Sequence, residues 1–412
     1  MRPAPLLAAG LVLAALPATS LGAWGPAVPV SRAGGTVASA DVAAGAGGRA
    51  VAAWVRTDRR GARVLVASRT GGRWSVPRAL SGSGAARPRT AVNALGDAAV
   101  AWARNGGVVA AVRHGPAGRW RVDRVADAEG AIQDLRLAID RAGRPALLWS
   151  ESMDGDFVAR VATRQSVRAG WRVRPARIGT SGPTPPSLAL SAGAGALVAW
   201  TEDARTFASR TVNGDFETPR EVAAETSGRP AAAIGPRGTL LTAWSARLPG
   251  GTSVVQAAGR ARPGDAWGEP DDVGIGATPV AALNEGGDAV VAWSLGGAGR
   301  PQGVESVIRG GSTGAWRAST VVPRRACSCT LRVAGVGMAE DGTAVVAWRR
   351  DEEDGGVGGG VAGLSAGADD WERARPGAGR PDATPAVSAG GRGAMALWAT
   401  PRAGVRAALL RP

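Results

Sequence analysis

The phrase GDAAVAW at residues 96–102 returns along the whole chain in near copies: GRAVAAW (48–54), GRPALLW (143–149), GALVAW (195–200), GTLLTAW (238–244), GDAVVAW (287–293), GTAVVAW (342–348) and GAMALW (393–398). The closing tryptophans stand at Trp54, Trp102, Trp149, Trp200, Trp244, Trp293, Trp348 and Trp398, at intervals of 44–55 residues. A period of that size marks a repeat architecture, in which one supersecondary unit cannot bury its own faces and must stack on the next. A second phrase is interleaved with the first: GGRWSVP (71–77), AGRWRVD (117–123), AGWRVRP (169–175), NGDFETP (213–219), GDAWGEP (264–270), TGAWRAS (313–319) and ADDWERA (368–374). An eighth copy, GAWGPAV (22–28), stands alone near the N-terminus, and Phe216 replaces Trp once; the two sets together account for all 15 tryptophans.

One period, residues 278–322, reads as four strands. TPVAAL is a short apolar strand, NEGG a turn, and DAVVAW an uninterrupted apolar strand, the pattern of one covered on both faces. The loop SLGGAGRPQG leads to VESVIRG, and the turn GSTG to AWRASTVV. Gly and Pro punctuate each junction, as turns require. Four antiparallel strands per 44–55 residues make a propeller blade. The expected fold is therefore all-β: an eight-bladed β-propeller with four antiparallel strands per blade. Radial stacking also explains how residues 21–412 form a single domain beyond the roughly 250–300 residues at which chains usually divide. The last repeat, with TPAVSA, GAMALWA and GVRAALL, stops without a Trp-centred fourth strand, and GAWGPAVPV (22–30) is that strand. The N-terminal strand is thus expected to complete the last blade and close the ring, removing two bare sheet edges.

Ahead of that strand, residues 1–20 have the order of a secretory signal peptide: Arg2, an apolar run from Pro5 to Ala18, then small residues. Cleavage after Ser20 or Ala23 fits, and Ser20 keeps Trp24 within a strand. The run is shorter than the roughly 20 residues that span a bilayer, and no second apolar span follows. The mature chain is therefore expected outside the membrane, secreted and monomeric. The formal charge is +15, and every one of the 49 basic residues is Arg; there is one His and no Tyr. A GC-rich genome accounts for that usage, but the positive field still favours anionic partners in a salt-dependent way.

ASRTGGRW (67–74) resembles the Asp-box of sialidase-type propellers, roughly Ser-x-Asp-x-Gly-x-Thr-Trp. GDAVVAW (287–293), taken with VVQAAGRARPGDAWGEPDDV (254–273), resembles secreted propeller repeat proteins of actinobacteria. The resemblance implies the architecture. The catalytic parts depart from it: Thr70 stands in place of the Asp, the spacing to Trp74 is one residue short, no Tyr is present to act as nucleophile, and no Phe is followed by Arg. An arginine triad of the sialidase kind cannot be picked out among 49 arginines by sequence.

Candidate site residues follow from the expectation that loops between second and third strands vary on a rigid scaffold, where function tends to sit. These loops bring Glu151, Asp154 and Asp156 in blade three, Glu202 and Asp203 in blade four, and Asp351, Glu352, Glu353 and Asp354 in blade seven. Carboxylates of neighbouring blades three and four invite comparison with the acid pairs of glycosidases. Clustered loop carboxylates also suit a hard cation, so Ca²⁺ is a candidate at Asp154/Asp156 or Asp351–Asp354, although no full calcium-loop signature is present. No other cofactor is expected. Cys327 and Cys329 form a candidate disulfide; i and i+2 in an ideal strand lie about 6.6 Å apart, at the upper edge of disulfide geometry. No lysine means no Schiff base, and His114 in RHGPAG reads as an exposed turn residue. Dispersed arginines without spare stacking aromatics speak against nucleic acid. The leading expectation is a non-catalytic extracytoplasmic binding or scaffolding module for a protein or an anionic cell-envelope glycan. The alternative is a divergent sialidase-like glycoside hydrolase using carboxylates around Asp154 and Glu202.

Overall fold

The computed structural model describes residues 23–32, 34–165, 169–181, 184–248, 250–262, 264–296, 302–325, 329–375, 384–400 and 404–411. The proposed leader, residues 1–20, lies outside the described residues. The chain forms eight antiparallel sheets in sequence order. The first is Thr36–Ala44, Ala50–Asp58, Gly61–Thr70 and Arg73–Trp74, and the next six repeat that plan. In the eighth, Ala386–Ala389, Ala394–Thr400 and Gly404–Leu410 are completed by Val28–Pro29 from the N-terminus. First strands of successive blades pack against one another around the axis, and the first strand of the last blade meets that of the first. The fold is an eight-bladed, all-β propeller; the only helical segment among the described residues is the 3-10 turn Ala46–Gly48.

The uninterrupted apolar second strands are explained by the radial stack. In blade one, Ala50, Ala52 and Trp54 pack with Met395, Leu397 and Val405 of the last blade. Val51, Ala53 and Val55, pointing the other way, pack with Val100 and Trp102 of blade two. Alternation along the strand thus serves two apolar neighbours, and polar residues have no face to occupy. The same division recurs at each seam, and each second-strand tryptophan faces the preceding blade. These eight tryptophans are all buried, at 0–8% exposure. The outer set, Trp74, Trp120, Trp171, Phe216, Trp267, Trp316, Trp371 and Trp24, is half-buried and covers the ends of the same clusters.

The closing strand is tied along its length. Val28 and Pro29 pair with Ala407 and Arg406. Gly25 N–H donates to Leu409 O at 2.9 Å, Val30 N–H to Val405 O at 2.8 Å, and Trp24 bridges to Leu410. The Trp24 indole donates to Glu372 O in blade seven at 3.0 Å, so the N-terminal segment also fastens the neighbouring blade.

Candidate functional site

The acidic residues singled out from the sequence sit on hairpin turns rather than on extended loops. In blades three and four the second and third strands are joined by two-residue turns, Asp154–Gly155 and Asp203–Ala204. Asp154 and Asp203 both have φ of 48°, a left-handed conformation that Asp tolerates better than most residues. Turn chemistry therefore explains their presence. Both are exposed, as is Asp156.

Glu151, by contrast, is fully buried and fully engaged. It accepts from the Trp149 indole at 2.7 Å and from the backbone N–H groups of Glu129 and Gly130, and it pairs with Arg160 at 3.2 Å. Glu202 accepts from the Trp200 indole at 3.3 Å. These two carboxylates are anchors for blade tryptophans. In blade seven, Asp351 pairs with Arg349 at 2.5 Å and Glu352 with Arg350 at 2.8 Å. Asp354 accepts from Gly356 N–H at 3.0 Å, and Glu353 is exposed. Among the described residues, no group of three or more His, Cys, Asp or Glu side chains gathers as a metal site would need. His114 lies 3.2 Å from the Asp97 carboxylate in its turn. Cys329 is buried and disulfide-bonded; Cys327 lies outside the described residues.

What the fold does bring together lies on the first strands, at the end of the central channel where blades connect. Six of the eight first strands carry a register shift there: at Val37/Ser39, Ala86/Arg89, Ile132/Asp134, Ser227/Ala231, Ala277/Val280 and Val333/Gly335. A bulge inserts an unpaired residue and re-aims side chains. Arg87 at φ 54° and Gly228 at φ 70°, just before Arg229, belong to these irregular segments.

The result is an ionic cluster built from several blades. One oxygen of Asp134 lies 3.5 Å from Arg89 of blade two; the other lies 3.1 Å from Arg136 of its own strand and 3.1 Å from Arg229 of blade five. The arginines are held by neighbouring backbone as well. Arg89 donates to Leu135 O, Arg136 to Leu188 O and Arg229 to Pro186 O, at 2.8–3.0 Å. Arg229 thereby crosses blade four to reach blade three, which only an inward-facing residue can do. Beside them, Asp41 of blade one accepts from the Thr90 N–H and hydroxyl, both at 2.7 Å, and Arg87 donates to Gln133 O at 2.9 Å.

Burial and charge set the two aspartates apart. Burial pushes the Asp41 carboxyl up, and the pull of Arg89, the Thr90 bonds and Arg136 does not restore it. Asp134 is also penalised by burial, but Arg136, Arg89, Arg229 and the Leu135 N–H outweigh that and hold its carboxyl below the usual range. The stabilisation Asp134 contributes is consequently complete above the ordinary carboxylate range near 3.9 and lost only as pH falls through its depressed value. Within this cluster four arginines, Arg87, Arg89, Arg136 and Arg229, stand against two aspartates, Asp41 and Asp134. Solvent reaches the arginines: side-chain exposure is 28% for Arg89, 37% for Arg136 and 40% for Arg229, against 11% for Asp134.

The first strands read from sequence as short and apolar, and this cluster escaped that reading. Its signal is present in ARPRTAV (86–92), QDLRLAI (133–139) and GRPAAAI (228–234), where charges interrupt otherwise apolar first strands.

No protein-family profile matches the sequence, and a search of curated proteins finds no match. Solved structures do resemble it. An ulvan lyase of a polysaccharide lyase family, bound to -[GlcA(1-4)Rha3S]-, matches with a TM-score of 0.50 at 10% identity, over 93% of this chain and 96% of the lyase. A Hadza microbial sialidase matches with a TM-score of 0.41 at 12% identity, over 77% and 73% of the two chains. The α-L-arabinofuranosidase of Fusarium graminearum, complexed with arabinobiose, matches with a TM-score of 0.38 at 11% identity, over 94% and 98%. At such identities the likeness is one of fold.

Proposed function

We propose that the protein is an exported binding module that holds an anionic glycan at the mouth of its channel without cleaving it. The observation that carries this reading is the convergence of Arg89, Arg136 and Arg229 from three blades on the single carboxylate of Asp134, with side chains that stay 28–40% exposed and more guanidinium than carboxylate in the cluster. A uronate or sulfate group of the polymer would share these guanidinium groups with Asp134, and the field of a +15 chain would draw it in.

A glycan-cleaving enzyme is the second reading, and one observation favours it. Asp41, raised by burial and next to the arginines, has the environment of a carboxyl that can keep its proton. The fold shared with an ulvan lyase makes polyuronates the substrates to try first. Asp154 and Glu202 are poorer choices for this chemistry, because one is an exposed turn residue and the other is bonded to Trp200.

The test is binding of heparin, as a sulfated uronate polymer, measured by calorimetry in low and high salt with neutral dextran as reference. Heparin is expected to bind saturably and more weakly in salt, and Arg229→Ala is expected to weaken binding about tenfold, the scale of one charge-assisted contact. Fluorogenic glycosides are expected to show no turnover, and polyuronates to yield no unsaturated product. Equal affinity in Arg229→Ala, or binding indifferent to salt, would remove the channel mouth as the site; turnover lost in Asp41→Asn would establish the enzyme.

A further inference from the structure

A second arginine cluster lies on the opposite end of the ring, where the first and last blades meet, and it is set apart by a pattern repeated around the molecule. In four of the eight blades the third strand ends in an arginine that reaches back to the blade before it. Arg113 donates to Ser68 Oγ of blade one at 2.9 Å and lies 4.9 Å above the Trp120 ring. Arg164 pairs with Asp123 of blade two at 2.6 Å and lies 5.8 Å from Trp171. Arg260 pairs with Glu217 of blade four at 2.9 Å, and Arg309 stacks 4.6 Å above Trp316 beside the Asp271 carboxylate of blade five. Arginine, tryptophan and an acceptor in the preceding blade thus form a staple.

Arg69 occupies the same register in blade one: it pairs with Ala50, as Arg113 pairs with Ala98 and Arg309 with Ala289. The blade before it is the last one, and that blade presents Arg411 instead of an acid. Arg49 and Arg392 line the same cleft of about 340 Å³, with Gly48 and Gly393 in its walls. Arg69 donates to Gly48 O at 2.5 Å and Arg49 to Ala94 O at 3.0 Å. Among the described residues none of the four arginines forms an ion pair. The glycines matter sterically: a Cβ on Gly48 would come within 3.0 Å of the Arg69 guanidinium, and Gly48 has a φ of 67° that favours glycine. Burial and the Arg411 guanidinium both hold the Arg69 guanidinium below its usual value, the mark of like charges left facing each other.

We infer that this cleft binds a doubly charged tetrahedral oxyanion, sulfate or phosphate, either free or as an ester on a sugar, which bridges Arg69 and Arg411 at a seam where no acid meets the staple arginine. The site is independent of the channel mouth. Its volume of about 340 Å³ admits more than a bare ion, so an ester on a monosaccharide fits the same cleft.

The experiment is thermal unfolding with inorganic sulfate or phosphate, against chloride at equal ionic strength. Either ion is expected to raise the Tm of the native chain in a saturable way. Arg411→Glu, which supplies the seam with the acid found elsewhere, is expected to melt higher than the native chain in chloride and to lose the anion-dependent rise. Arg411→Ala, which removes the repulsion without adding an acid, is expected to weaken anion binding about tenfold or more. Arg229→Ala at the channel mouth is expected to keep the rise, which separates this site from that one. A monosaccharide sulfate that stabilises more than inorganic sulfate would assign an ester, and the reverse order a free ion; both support the site. No saturable rise with any of these anions, or an equal rise in Arg411→Glu, would overturn it.

Discussion

Deleting residues 21–32 is expected to leave a chain that aggregates, or that unfolds far below the intact protein. The strand Val28–Pro29 covers the outer edge of Gly404–Leu410, and without it that edge presents unpaired backbone groups. Trp24 and Val30 leave with it. Trp24 packs with Leu410 and Ala408 across the seam between blades seven and eight, and Val30 with Val405 and Ala407 in the cluster that joins blade eight to blade one. The deletion therefore strips apolar cover from two seams as well as hydrogen bonds from one edge. In a closed ring every blade is held on both sides, so opening one seam removes support that no local repacking replaces. Size-exclusion chromatography and a melting curve check the outcome. A monomeric deletion variant with unchanged Tm would show that the N-terminal strand is an ornament of the last blade.

Trp293→Ala is expected to cost about 3–5 kcal/mol, the usual loss for truncating a buried tryptophan. With unfolding entropy near 2.1 cal/mol/K per residue, that is a fall in Tm of about 5 °C for a chain of this size. Trp293 is 2% exposed and lies against the outer strand of blade five. The fit is close: a Cβ on Gly276 would come within 2.1 Å of its ring, and one on Gly274 within 2.3 Å. Its indole donates to Ile275 O at 2.8 Å, so truncation leaves a hole and a carbonyl without its donor. Trp293→Phe should recover much of the packing and none of the hydrogen bond. The comparison substitution must be a truly exposed arginine. Arg309 does not serve, because it is 7% exposed and stacked on Trp316. Arg220, exposed on the outer strand of blade four, is the proper reference and should change Tm little. Equal shifts for Trp293→Ala and Arg220→Ala would contradict the role given to the tryptophans.

Fold and site differed in how far the sequence revealed them. The architecture was legible because its cause is periodic. A strand covered on both faces must be apolar throughout, a tryptophan must recur where each blade meets the one before, and glycine must recur at each turn. Even the orphan GAWGPAV could be assigned, since one blade lacked its last strand. The site was illegible for a related reason. Acidic residues in connecting turns drew attention, yet Asp154 and Asp203 owe their places to φ of 48°, and Glu151 and Glu202 to indole N–H groups that need an acceptor. The arginines of the proposed site are no different in type from the rest of the 49, and only three-dimensional proximity groups Arg89, Arg136 and Arg229. The staple arginines carried a readable signal. Arg113, Arg164, Arg260 and Arg309 each precede an outer tryptophan by seven residues, a spacing that alignment of the repeats exposes.

The claim on which the rest depends is that the two chain ends meet in one sheet. Val28 and Ala407 are direct partners across that pairing, so cysteines placed there lie within disulfide reach. Oxidation of the Val28→Cys, Ala407→Cys double variant should link the ends in nearly every folded molecule, giving a faster-migrating band without reductant and a raised Tm. Folded protein in which both introduced thiols stay free to alkylation would mean that the ends lie apart and the ring is not closed as described.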